Sequence, residues 1–146
     1  MKYYLDTEFD GFGGPLISLA LVREDGASFY GVVRNEASDP WVRENVLPIL
    51  EPLPDKRYGL MDRATAARMI AEFLRDDGNP TIITDWPDDI RYFCELIITG
   101  PGQMVAISHL RFEMRRVDAY PTALLGAVQH NAWWDAMALR HLLEAA

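Results

Sequence analysis

Asp6 and Glu8 sit one residue apart at the end of the apolar run YYL, in the stretch YYLDTEFDG. Alternate residues of a strand project from the same face, so the two carboxylates stand side by side. Like charges that close raise each other's pKa unless a cation lies between them. Two further acidic groupings occur at the edges of regular elements: Asp85, Asp88 and Asp89 in IITDWPDDI, and Asp135, which follows His130 by five residues in HNAWWD. Hard divalent cations such as Mg²⁺ take oxygen ligands and keep several waters, so a few carboxylates from separate elements suffice. Two such ions roughly 3.5–4 Å apart activate water and stabilise the leaving oxygen in phosphodiester hydrolysis. That chemistry needs about four carboxylates and a general base, and the chain supplies both.

The elements that must position these groups follow from local pattern. The first strand ends in the turn GFGGP, and LISLALVRE and FYGVVR read as two more strands joined by the Gly-containing turn EDGAS, an antiparallel meander. Four prolines, Pro40, Pro48, Pro52 and Pro54, predict loop over 35–60 with one short helix near Trp41 to Leu47. Asp62 is an N-cap for the helical spacing of Ala66, Met69, Ile70 and Phe73, and Gly78 is the expected stop. TIITD reads as a buried strand, and PDDIRYFCELII as a helix that starts at Pro87 with two acids and runs to Gly100. VAISHL, residues 105–110, has the pattern of a further strand, and NAWWDAMALRHLLEAA that of a last helix with its stripe at Ala132, Ala136, Leu139 and Leu143. The succession implies an α/β fold, a mixed sheet flanked by helices, as one domain over 1–146.

Five helical steps at about 100° each would separate His130 from Asp135 by about 140°, so one helix cannot aim both at one point. They converge only if His130 precedes the helix and Asp135 lies in its first turns, with Asn131 or His130 as the cap.

Composition bounds the reading. The 146 residues are 49% apolar and 25% charged, in the range of a folded domain. No apolar run approaches the roughly 20 residues of a membrane span. A single cysteine, Cys94, excludes an internal disulfide and suits a reducing compartment, and MKYYLDTE lacks signal-peptide architecture, so cytoplasm is the expectation. The net charge of −8 and scattered arginines, clustered only at Arg111, Arg115 and Arg116, argue against a tight sequence-reading nucleic-acid binder. They are compatible with a nuclease whose carboxylates hold metal ions. GFGG lacks the Lys-Ser/Thr of a phosphate loop and reads as a turn. Cys94, His109 and His141 read as structural, and Trp133 and Trp134 as core and groove wall.

DTEF at 6–9 and HNAWWD at 130–135 resemble the first and last motifs of the DEDDh 3′–5′ exonucleases, and IITDWPDDIRYF resembles the middle one. The DTEF start and small size look most like bacterial exoribonucleases of the ribonuclease AS type. The resemblance implies an RNase H-like fold in which Asp6, Glu8, Asp89 and Asp135 hold two Mg²⁺ or Mn²⁺ ions and His130 is the general base. It places Phe9 and Thr7 against the substrate, with Phe9 packing on the terminal base or ribose. Three acids crowd the middle motif, so Asp85 is an alternative third ligand and Asp88 a weaker one. The implied partner is an RNA 3′ end, A-rich ends included, or the nucleoside monophosphate product, with no membrane and with a homodimer as the assembly to test. A DNA-trimming exonuclease and an inactive RNA-end-binding module are the alternative functions.

Overall fold

The computed structural model describes residues 1–50 and 59–145. Three strands, β1 (Lys2–Phe9), β2 (Leu16–Arg23) and β3 (Ser28–Val33), form the expected antiparallel meander. α1 (Pro40–Asn45) and a single 3₁₀ turn (Leu47–Ile49) follow, then a short strand β4 (Gly59–Met61) that pairs parallel with β3 where loop was expected. Pro52 and Pro54 lie outside the described residues. α2 (Arg63–Leu74) is capped by the Asp62 carboxylate, which accepts from the Thr65 N–H. It ends at Leu74, four residues before Gly78, where its buried stripe stops.

β5 (Thr81–Thr84) pairs parallel with β1 and leads directly into α3 (Pro87–Ile97). A small hairpin, β6 (Ile98–Gly100) and β7 (Gln103–Met104), precedes an edge strand, β8 (Arg111–Met114). The strand expected at 105–110 therefore comes later, at 111–114, paired parallel with β5. Val105, Ile107 and Leu110 still point at the core, but as packed irregular chain without a ladder. Alternating apolar residues specify burial, and here a helix edge satisfies that demand as well as a sheet would. α4 (Ala132–Glu144) completes the chain.

The main sheet has the order β4-β3-β2-β1-β5-β8 and mixes both pairings, an α/β arrangement compatible with an RNase H-like fold. Odd residues of β1, Tyr3 and Leu5, face the larger core with Ala66, Ile70 and Leu74 of α2 and Tyr92, Phe93 and Leu96 of α3. Even residues face α4: Tyr4 meets Leu139, and Ala20 and Val22 of β2 meet Ala132 and Ala136. The period-2 alternation of β1 thus sends Asp6 and Glu8 to the α4 side, where the sheet's apolar cover ends. Among the described residues no helix is long and apolar enough to cross a membrane.

Candidate active site

β5 runs parallel beside the first half of β1, so its carboxyl end comes level with the middle of β1, just before Asp6; open α/β sheets present ligand-binding groups at such strand ends. β1 contributes Asp6 and Glu8 there, and its pairing with β2 shifts register between Glu8 and Phe9. Such an irregularity bends a strand and re-aims the next side chain. Phe9 accordingly lies flat on Tyr92, with ring centroids 4.6 Å apart and planes 25° from parallel.

Asp89 comes from the first turn of α3, which Pro87 at its start pre-orders. Only 2% of Asp89 is exposed. The Thr7 N–H and hydroxyl donate to its Oδ1 at 3.1 and 2.6 Å, and the Thr84 hydroxyl donates to Oδ2 at 2.6 Å. Thr7, expected against substrate, is therefore buried beneath Asp89 and fixes the orientation of that carboxylate. Asp88 instead accepts from the Trp86 indole N–H at 3.0 Å, turned away from the centre.

Asp135 lies in the first turn of α4, and Asn131 is the cap. The Asn131 Oδ1 accepts from the N–H groups of Trp133 and Trp134, while its Nδ2 donates to the Ile49 carbonyl at 2.8 Å. His130 precedes the helix in the left-handed region at φ 61°, the geometry needed for His130 and Asp135 to converge. The His130 ring meets Trp41 edge-on at 4.9 Å, and the backbone N–H of His130 donates to the Asp135 carboxylate.

These side chains form two sets that share Asp6. One carboxylate oxygen each from Asp6, Asp85 and Asp89 lie within 4.8 Å of one another, as do one each from Asp6, Glu8 and Asp135. Asp85 and Asp89, the two alternatives for the third acid, thus lie in one set with Asp6. Burial, followed by the charges of Asp89 and Asp135, holds the Asp6 carboxyl well above its ordinary range. Glu8 is raised by burial and by Asp135, with which it shares a hydrogen bond. Burial pushes Asp89 and Asp135 up to about 7. Asp85 is also raised by burial, which a hydrogen bond from its own backbone and the charge of Arg116 offset only in part.

The Asp6 Oδ2 is buried with no hydrogen-bond partner. Among the described residues no Lys or Arg forms an ion pair with Asp6, Glu8, Asp89 or Asp135. An all-oxygen carboxylate cluster with an orphaned carboxylate oxygen fits hard divalent cations.

Two concavities flank the cluster. A cavity of about 270 Å³ is bounded by Asp6, Asp85, Asp135, His130, Tyr120 and Pro121. A groove of about 500 Å³ runs past Glu8 and Phe9 between Phe12, Trp41 and Trp86. Phe12 sits fully exposed at the tip of the GFGG turn, whose Gly14 approaches Asp10 so closely that a Cβ would lie 1.7 Å from its carbonyl oxygen. Asp10 in turn accepts from the N–H groups of Ser38 and Asp39, and Asp39 caps α1 and so presents Trp41. Sequence reasoning missed Phe12, Trp41 and Trp86 as groove residues. Aromatic residues in Pro- and Gly-rich turns were the available signal. Trp133 packs on the core and donates its indole N–H to the Ser28 hydroxyl.

No family model matches the chain. It is 39% identical over 87 residues to proteins named 3′–5′ exoribonuclease from two strains of Mycobacterium tuberculosis, CDC 1551 and H37Rv, a match covering 56% of this chain. The chain spans about half the length of these curated relatives, 51% of each being covered. The similarity is thus to exoribonucleases that act from the 3′ end, over part of each protein.

Proposed function

We propose that the chain is a metal-dependent 3′–5′ exoribonuclease of the DEDDh type, which releases nucleoside monophosphates from RNA 3′ ends. The observation that carries this reading is the pair of carboxylate sets sharing Asp6, closed around an unpaired buried oxygen. The partial likeness to 3′–5′ exoribonucleases supports RNA as the substrate. Asp6, Glu8, Asp89 and Asp135, with Asp85 beside them, would hold two Mg²⁺ or Mn²⁺ ions. When bound, these supply the charge that activates water and neutralises the developing phosphorane charge.

The chain's own residues do the rest. His130, exposed at the mouth of the cavity beside Asp6 and Asp135, takes the proton of the attacking water through its ring, the side chain most often used as a general base. Trp41 supports the ring from its edge and limits its rotation. Thr7 and Thr84 hold Asp89 by short hydrogen bonds, so that carboxylate cannot swing away when the site fills. Phe9, Phe12, Trp41 and Trp86 line a groove suited to the terminal nucleoside, because stacking on aromatic faces tolerates any base and requires an unpaired strand.

The test is hydrolysis of 5′-labelled ribo- and deoxyribo-oligomers of identical sequence in Mg²⁺, Mn²⁺ and EDTA. A ladder shortening from the 3′ end, mononucleotide release, EDTA inhibition and a ribose preference are expected. Faster cleavage of the deoxy strand would reassign the protein as a DNA-trimming enzyme, and binding without cleavage as an end-binding module.

A further inference from the structure

Arg116 stands apart from the other arginines of the local cluster. Arg115 is already engaged by Glu113 at 3.1 Å. Arg116 takes part in no ion pair among the described residues; its guanidinium carbon lies 4.9 Å from the centre of the Trp86 ring. Trp86 is itself anchored, its indole N–H on Asp88 at 3.0 Å and its backbone N–H on the Thr84 hydroxyl at 3.2 Å. That same hydroxyl binds Asp89. An exposed guanidinium is therefore tied through one ring to the carboxylate centre, with its hydrogen-bonding edges open to solvent.

A planar guanidinium stacked on an aromatic face has lost much of its freedom in advance and presents its donors in a fixed fork that matches phosphate. On a chain of net charge −8, such a group is a poor non-specific anchor and a good local one. The Trp86 ring on which it rests lines the groove that runs past Glu8 and Phe9. Arg116 thus stands beside the wall of that groove, next to the carboxylate-bearing start of α3.

We propose that Arg116, held against Trp86 at the rim of the carboxylate centre, is a substrate-binding residue that takes the backbone phosphate on the 5′ side of the scissile one. The inference rests on the exonuclease reading. In a strand degraded from its 3′ end, the terminal nucleoside carries a free 3′-hydroxyl, so a second phosphate exists only in the 5′ direction. The site would then count phosphates: one at the carboxylates, the next at Arg116.

Two minimal substrates separate these contacts. The dinucleoside monophosphate ApA has the scissile phosphate alone, and pApA adds one phosphate at its 5′ end. The wild type is expected to favour pApA over ApA in kcat/KM by roughly tenfold, the worth of one charge-assisted phosphate contact. Arg116→Ala should collapse that preference toward unity, Arg116→Lys should restore part of it, and Arg115→Ala should keep it. Binding provides an independent readout. In an Asp89→Ala background, the affinity for a labelled oligoadenylate, followed by anisotropy against salt, should lose about 0.7 from its log–log slope when Arg116 is removed, the loss expected for one single-strand phosphate contact. A wild type without preference for pApA, a preference that survives Arg116→Ala, or an equal loss in Arg115→Ala would each overturn the assignment. A wild type that cleaves none of these substrates would instead sink the exonuclease reading.

Discussion

Asp88 and Asp89 are adjacent acids in one helical turn, and their surroundings separate their roles. Three hydrogen bonds lock Asp89 against Thr7 and Thr84 beside Asp6, whereas Asp88 is spent on the Trp86 indole. Asp89→Ala should abolish mononucleotide release and Asp88→Ala should keep most of it; steady-state rates of both variants check this, and an active Asp89→Ala protein would show that the wrong acid was chosen. Asp85→Ala is expected between them, since Asp85 shares one carboxylate set with Asp6 and Asp89. For His130, removal of a general base should reduce turnover by roughly 10²–10⁴-fold. Mn²⁺ affinity measured by calorimetry should survive in His130→Ala, because the carboxylates alone form the two sets. A matching loss of metal binding would move His130 into the coordination shell.

Helix starts hold the site together at the next scale. α3 and α4 each bring one acid in their first turn, where the N-terminal dipole also favours a negative charge. α4 relies on a single residue: Asn131 caps two N–H groups and ties the helix start to the Ile49 carbonyl. Replacing such a buried cap by alanine removes the cap and leaves a carbonyl unpaired, which costs about 1–3 kcal/mol. Urea denaturation of Asn131→Ala should register that loss. Activity at temperatures where the variant is fully folded should fall further, because His130 and Asp135 flank the cap. Asn131→Asp keeps the capping oxygen but turns its second oxygen on the Ile49 carbonyl, so it should recover little of the stability. A variant with unchanged turnover would mean that the helix start is held by packing of Ala132 and Ala136 alone.

Across the whole molecule the clustered acids set a conflict between folding and function. Asp6, Glu8, Asp89 and Asp135 all hold their protons more tightly in the folded chain than in the unfolded one, chiefly through burial. Their contribution to stability is therefore complete below the ordinary carboxylate range and is lost as pH rises through about 7, where Asp89 and Asp135 ionise. Melting temperatures in EDTA should fall from pH 5 to pH 8, apart from the other ionisations of the chain. Excess Mg²⁺ should reverse the trend, since a cation that binds the ionised set stabilises the folded state by mass action. The same conflict predicts that Asp6→Asn melts at or above the wild type in EDTA and below it in Mg²⁺. A wild-type midpoint unmoved by tens of millimolar Mg²⁺ would remove the main support for a metal centre.

Local pattern was enough for much of this. The alternation of YYLDTE, the Asp62 cap, Pro87 with its two acids, and Asn131 before an apolar stripe are short-range signals, and β1, α2, α3 and α4 start where they predict, although α2 ends before Gly78 and α3 gives way at Ile98 to the strand β6. Strand period and a helix start limit where Asp6, Glu8 and Asp135 can point, whereas the resemblance to the DEDDh exonucleases singled out Asp89 among three neighbouring acids; the fold brings both Asp85 and Asp89 to Asp6. Other features depend on contacts between residues far apart in the chain. VAISHL buries its apolar residues against the core without joining the sheet, and RFEM takes the edge beside β5 instead, a choice made by packing and not by propensity. Thr7 alternates with Asp6 and Glu8 as any strand residue would, and only the arrival of α3 on its face makes it the support of Asp89. Phe12, Trp41, Trp86 and Arg116 lie on four different segments, and tertiary folding alone gathers them around the acids. The sequence by itself determined which groups could do the chemistry; the tertiary structure decided which aromatic faces and which cation border them, because only long-range packing brings turns and edge strands to one rim.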